Sequence, residues 1–348
     1  MDYWTGSDDY DTAQAELAAA GLTDGLPVIP PTRARVERTL CAHDLDPDEV
    51  VAELAPLFGR ATWRDIAINA VMAGCSAEAL PVVGAIAEAL ADDEFGLMSI
   101  ATTTGAVAPL AIVNGPIAQA LAMNGGGNAL GPGNGANATI GRAVSLLIRN
   151  IGGAKPGEFD MATLGQPAKY TCCFAENESA SPWPALHVER GFPPDSGVVT
   201  VVAAAGFVEV ADSCSEKPED LAQTFAESMM IAGGLGKHAL LGSGEPLIIL
   251  PPDVARVFAD AGCTKGDVKR LIYERAVMPL ERLAPSVRAY LYELSGPSVS
   301  KLRVAERPED IVIAVAGGVG AKAAYIPNWG GGTRVVTKPI RTRRLIRP

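Results

Sequence analysis

Neither a helix nor a strand can cross Asn124-Gly-Gly-Gly-Asn-Ala-Leu-Gly-Pro-Gly-Asn-Gly-Ala-Asn-Ala-Thr139, where six glycines, four asparagines and a proline fall within sixteen residues. The chain must turn repeatedly there. Ile140-Gly-Arg-Ala-Val-Ser-Leu-Leu-Ile-Arg149 follows at once with helical period, and Asn137 or Thr139 is its candidate cap. Consecutive backbone N–H groups beside a helix start carry partial positive charge and attract a carboxylate or phosphate. This reading sets Asn124, Asn128, Gly133, Asn134, Asn137, Thr139 and Arg142 against a substrate. The asparagines suit turn closure equally well. The order of residues fits neither a Walker A loop, which needs a lysine after its last glycine, nor a clean GxGxxG, so no cofactor is specified.

Around this loop the chain reads as α/β: two packed α/β units, with a pseudo-repeat as a further possibility and Gly-rich loops at strand ends. The predicted layout is an extended arm over 1–32, a first unit over 33–195 with an irregular 152–194 segment, and a second unit over 196–348. A helix is expected from Arg33, another from Asp46-Pro47 to Leu54, and two apolar helices between Thr62 and Leu90 that break at Gly74-Cys75-Ser76. Buried strands are expected at Ala108–Asn114, Gly197–Ala205, Glu245–Leu250 and, as the last, Asp310–Ala316, with helices over 218–231 and 267–275. The repeat rests on Ala108-Pro-Leu-Ala-Ile-Val-Asn-Gly-Pro-Ile-Ala118 and Glu245-Pro-Leu-Ile-Ile-Leu-Pro-Pro-Asp-Val-Ala255, which share a Pro-Leu entry, an apolar run and a proline.

Of the 348 residues, 48% are hydrophobic and 20% charged, which supports a packed core and argues against a mainly disordered chain. The formal charge of -11 disfavours nucleic acid as a partner. The late arginines Arg341, Arg343, Arg344 and Arg347 read as a solvated tail. No run approaches the roughly 20 apolar residues of a membrane span, and the acidic start does not resemble a signal peptide, so a cytoplasmic protein away from membranes is expected. Six cysteines without a CxxC pair read as reduced thiols. The 37 glycines and many small apolar side chains predict flat, close-packing surfaces and a homo-oligomer.

Several residues are candidates for chemistry. Cys75, in Met72-Ala-Gly-Cys-Ser-Ala-Glu78, sits at a helix junction where a helix start would depress its pKa and free a thiolate nucleophile. A buried cysteine can equally be a small hydrophobe. In an extended run Cys172 shares a face with Glu176 and Glu178, and Cys173 with Lys169, so one thiol of the pair faces a pocket; Cys173 is retained. Glu176 and Glu178 can split into acid and base or form a solvated rim. His187 is the best general base of the three histidines, with a structural role as its rival. Lys169 and Tyr170 adjoin the cysteines, and Lys322 ends the turn Gly317-Gly-Val-Gly-Ala-Lys322, as ligand contact or as a surface lysine. A third turn, Gly233-Gly-Leu-Gly-Lys-His238, repeats the pattern with Lys237 and His238. No histidine pair has metal-ligand spacing, so no metal is assigned; Cys75 with Cys172 or Cys173 leaves a soft-metal or iron–sulfur site as an alternative.

Asp24-Gly-Leu-Pro-Val-Ile-Pro-Pro-Thr32, Ala70-Val-Met-Ala-Gly-Cys75, Gly131-Pro-Gly-Asn-Gly-Ala-Asn-Ala-Thr-Ile-Gly-Arg142, and Lys169-Tyr170 with Glu176-Asn-Glu178 and Ser181-Pro-Trp183 carry a resemblance over most of the chain to an uncharacterised bacterial family. Its members are sometimes found beside or joined to small cysteine or selenocysteine proteins with a Gly-Ser-Cys signature. The resemblance implies thiol chemistry but no established activity, and the Gly-Ser-Cys signature is absent here. The resulting expectation is a cysteine-dependent enzyme of lyase, hydratase or isomerase type, acting on a small organic acid or other small anion. Cys75, Lys169, Glu176 and Lys322 would then share one cleft. Its alternatives are a thiol redox or soft-metal enzyme and a non-catalytic anion-binding module.

Overall fold

Frequent prolines and glycines keep most elements short, and the result is an α/β chain. The computed structural model describes residues 1–7, 9–230, 244–295 and 300–341. In chain order the elements are α1 (Tyr10–Ala19), α2 (Arg33–Cys41), β1 (Val50–Leu54), β2 (Gly59–Thr62), α3 (Trp63–Ala73), α4 (Leu80–Leu90), α5 (Leu97–Thr102), β3 (Ala108–Asn114), α6 (Pro116–Ala120), α7 (Gly135–Asn150), β4 (Cys173–Ala175), α8 (Leu186–Glu189), β5 (Val198–Ala204) and β6 (Val208–Ala211). Then come α9 (Pro218–Met229), β7 (Leu247–Leu250), α10 (Pro252–Asp260), α11 (Lys265–Arg275), β8 (Val277–Pro279), α12 (Pro285–Ser295), β9 (Lys301–Arg303), β10 (Val312–Val315), β11 (Lys322–Ile326) and β12 (Val336–Pro339). Two units result, 1–175 with 187–201 and 336–348, and 176–186 with 202–335.

The first unit is built on a sheet of order β12-β5-β3-β4. β3 and β4 are parallel, with Ala111 opposite Cys173, whereas β12 runs antiparallel to β5. Every β5 residue is buried, which is why its sequence reads as an unbroken apolar run rather than an alternating one. α3 starts at a capping box in which Thr62 and Asp65 bond each other's backbone N–H. It ends at Gly74, whose φ of 90° lets the Cys75 N–H reach back to the Ala70 carbonyl at 2.9 Å. Gly84 of α4 lies under the Trp63 ring, where a Cβ would come within 2.3 Å, so these two helices pack at the distance only glycine allows.

The second unit has a sheet of order β10-β7-β11-β6. β10 is parallel to β7, while β11 is antiparallel to both β7 and β6. Phe225, Ile248, Phe258, Ile272 and Tyr325 form its core. A satellite cluster of Met278, Leu280, Leu291 and Leu302 sits with the two-stranded antiparallel β8–β9 sheet.

Some local expectations change. The segment from Asp46 is a strand, not a helix: the Asp46 carboxylate turns the chain by accepting from the Asp48 N–H, and Val50–Leu54 pairs antiparallel with Gly59–Thr62. The 1–32 arm contains α1, capped by Asp9, so it is not extended throughout. β10 is not the last strand, because β11 and β12 follow it. β3 with α6, and β7 with α10, each give a buried strand followed by a proline-initiated helix, the pattern on which the repeat was read. The likeness of these elements does not establish a pseudo-repeat, and α6 has five residues against nine in α10. Among the described residues no helix is long and apolar enough to cross a membrane.

Candidate functional site

A cavity of about 600 Å³ opens in the first unit. Ser145, Ile148 and Arg149 line it from one face of α7, as spacings of three and four residues on a helix require. Leu97 and Ile100 of α5 and Val107 before β3 give it apolar walls. The 154–170 segment closes the remaining side. That segment is tied in place by its own backbone. The Lys155 carbonyl accepts from the N–H groups of Glu158, Phe159 and Asp160, and Thr163 donates to the Thr104 carbonyl at 2.9 Å. The Gln166 amide reaches the Ala106 carbonyl.

Lys169 and Tyr170, both expected from the sequence, lie on this wall. Lys169 Nζ is 2.7 Å from Asp160 Oδ1, and both side chains are largely buried. Asp24 also lines the cavity and is held by Arg142 through two bonds of 2.8 Å. Burial pushes the Asp24 carboxyl up, but the hydrogen bonds and charge of Arg142 outweigh it and hold the group below its ordinary value. Arg142, expected to contact a substrate, is paired here with a carboxylate of its own chain.

Cys75, Cys172 and Cys173 are grouped in the same unit but do not line the cavity. Cys75 follows the C-terminus of α3, the negative end of a helix, so the helix start invoked to depress its pKa is not what holds it. Burial instead pushes its thiol up to about 12, against an opposing hydrogen bond with Thr139. Burial likewise raises Cys172 to about 12. Cys173 is pushed well above its ordinary value by burial, with the Cys172 and Cys75 thiols adding to the effect. All six cysteines are free thiols, and among the described residues no group of three His, Cys, Asp or Glu is placed to hold a metal ion.

The asparagine loop folds onto itself. Asn134, rather than Asn137 or Thr139, caps α7 by accepting from the Asn137 N–H at 2.9 Å, and its amide donates to the Ala122 carbonyl. Buried Asn137 accepts from the Asn124 N–H and donates to the Asn124 and Ala129 carbonyls. Asn124 bonds Gly126 and Gly127, and Asn128 bonds the Pro132 carbonyl. The four amides thus close turns, one of the two roles open to them. Gly133, with φ of 114°, supplies a turn, and the Thr139 hydroxyl donates to the Gly135 carbonyl.

The remaining candidates do not line the cavity. Glu176 belongs to the second unit and is buried, accepting the Leu186 N–H at 2.7 Å and the Val315 N–H at 3.1 Å, with Lys265 Nζ at 3.8 Å. Glu178 is half-buried in the same unit. His187 is fully buried in the first unit, with Nε2 3.3 Å from the Pro194 carbonyl, which fits the structural role. Lys322 begins β11 on the surface, 3.9 Å from exposed Glu209. Cys75, Lys169, Glu176 and Lys322 therefore do not all line one cavity. Lys237 and His238 fall outside the described residues.

The sequence does not single out Asp160 or Arg149, which also line the cavity. The spacing of Arg142, Ser145 and Arg149 along the helical run was a usable signal for the second. Asp160 sits in an irregular segment without any period. Comparison with protein-family models, curated proteins and solved structures finds no match.

Proposed function

We propose that the protein is an enzyme that acts on a small organic acid in the cavity of the first unit, with the Lys169–Asp160 pair moving the proton. The observation that carries this is the 2.7 Å contact between the two groups in the wall of a largely apolar cavity. An ionised carboxylate only accepts, so Asp160 is the base that removes a proton from the carbon next to the substrate carbonyl. The Lys169 ammonium neutralises the enolate oxygen that forms, and the apolar walls strengthen that attraction. Return of the proton to another carbon gives an isomerisation, and loss of a leaving group gives an elimination. Thiols raised to about 12 are protonated at neutral pH, which moves the chemistry from cysteine to this pair.

Solvent exchange tests the assignment. Incubated in D₂O with pyruvate or 2-oxooctanoate, the protein should speed loss of the C3 proton signal over buffer, Cys75→Ser should keep that activity, and Lys169→Met and Asp160→Asn should lose it. Exchange that survives both substitutions would sink the assignment. Acid binding without exchange would select the non-catalytic anion-binding module, which uses the same cavity.

A further inference from the structure

We infer that Arg149 anchors the carboxylate of the ligand, and that the ligand is a monocarboxylic acid with an apolar body rather than a dicarboxylic acid. The inference rests on the reading that the cavity takes an organic acid, and it names which one. Four charged side chains line the cavity: Asp24, Arg149, Asp160 and Lys169. Asp24 is paired with Arg142 and Asp160 with Lys169, so three of the four are already matched within the chain. Arg149 forms no ion pair among the described residues, and its Nε is buried without a hydrogen-bond partner. A buried guanidinium N–H left unpaired is unfavourable, and a carboxylate satisfies it with two parallel bonds from the planar fork.

One unmatched cation calls for one negative charge. A second carboxylate on the ligand would face apolar wall, the carboxylates of Asp24 and Asp160, or a Lys169 ammonium whose charge Asp160 already balances, and it would lose hydration without gaining an unmatched cation. The apolar body has a place to go. Leu97, Ile100, Val107 and Ile148 line the interior, and Leu164, 95% exposed, lies at the mouth. A side chain as exposed as Leu164 gains burial only when something apolar covers it, and the tail of an aliphatic or aryl acid does so.

Titration calorimetry at neutral pH, with octanoate, succinate and 1-octanol as probes, tests this on the intact protein. Octanoate should bind at least tenfold tighter than succinate and than the uncharged alcohol. Arg149→Gln should weaken octanoate tenfold or more, and Arg149→Lys, which keeps the charge but not the fork, should fall between. Leu164→Asp, at a position too exposed for the fold to depend on it, should also weaken octanoate. Equal octanoate affinity in Arg149→Gln, or tighter binding of succinate, overturns the inference while leaving the cavity an acid site. Binding by neither acid, with no proton exchange, removes the inference and the reading beneath it together.

Discussion

Asp24 and Arg142, 118 residues apart, form a two-pronged ion pair in which Nε and Nη2 each donate to a different carboxylate oxygen at 2.8 Å. Nη2 also reaches the Leu26 carbonyl at 3.3 Å. The pair ties the Asp24–Thr32 segment to α7 at the edge of the cavity, and so joins the first and third of the sequence motifs. Both side chains are largely buried, which makes removal of one partner costlier than the pair is worth. Arg142→Gln should lower stability by roughly 2 kcal/mol in urea denaturation, and Asp24→Asn/Arg142→Gln should recover part of the loss. No recovery in the double variant would mean that the pair does not hold the segment.

The same pair makes stability depend on acid. Asp24 is held below its ordinary value when folded, so its contribution is fully present above the unfolded value of about 3.9 and is lost as pH falls through the folded pKa. Asp212 of the second unit behaves alike at a lower pH. The Thr224 hydroxyl, against a smaller effect of burial, and bonds from Ser215 and Cys214 hold it at about 2. Acid unfolding followed by circular dichroism should therefore shift to higher pH in Arg142→Gln and in Thr224→Val. An unchanged midpoint in both variants would contradict these assignments.

Thiol reactivity separates the cysteines. At neutral pH a thiol at about 12 holds roughly three thousandfold less thiolate than a free cysteine near 8.5. Iodoacetamide should modify exposed Cys41 and Cys214 first and leave Cys75, Cys172 and Cys173 intact until the protein unfolds. Peptide mass mapping over time reads the order directly. Rapid labelling of Cys75 in the folded protein would restore it as a nucleophile.

Much of the α/β framework was legible because its signals are local. The apolar runs of α3, α4, β3 and β5 are buried almost throughout, so hydrophobic length alone identified them. Asp46-Pro47 was ambiguous, since the same residues that cap a helix also close a turn, and the pairing of Val50–Leu54 with Gly59–Thr62 decided the outcome. Lys169 and Tyr170 were found from their place near the cysteines. Their partner was not, because Asp160 meets Lys169 only through the bonds to the Lys155 carbonyl that bend the chain back. Chemical type alone put Glu176 and Lys322 among the candidates: a carboxylate that accepts two backbone N–H groups and a lysine on the surface look like catalytic groups in a sequence.

The asparagine loop offers a direct test of turn closure against substrate contact. Asn137 is 4% exposed and holds three backbone groups of its own loop. Asn137→Ala would strand the Asn124 N–H and the Asn124 and Ala129 carbonyls, and a loss of roughly 3 kcal/mol is expected. Limited proteolysis should then cut between residues 124 and 134. A variant with unchanged stability and resistance would return Asn137 to the list of substrate contacts.

Glu176 gives the sharpest contrast between a structural and a catalytic carboxylate. Each of its oxygens accepts one buried backbone N–H, from Leu186 and from Val315, and buried Lys265 lies 3.8 Å from Oε1. Glu176→Gln keeps the shape but turns one acceptor into an NH₂ group, which must face a backbone donor or swing away from it. It also leaves Lys265 without this carboxylate. A buried backbone N–H that loses its acceptor costs about 1–3 kcal/mol, so Glu176→Gln should be destabilising, with a clear drop in melting temperature. A catalytic carboxylate behaves in the opposite way, because its amide variant folds normally and loses only turnover. Calorimetric melting of Glu176→Gln beside Asp160→Asn therefore discriminates: the first should melt early, and the second should melt near the parent while losing proton exchange. A normal melt for Glu176→Gln with exchange abolished would reverse the two assignments.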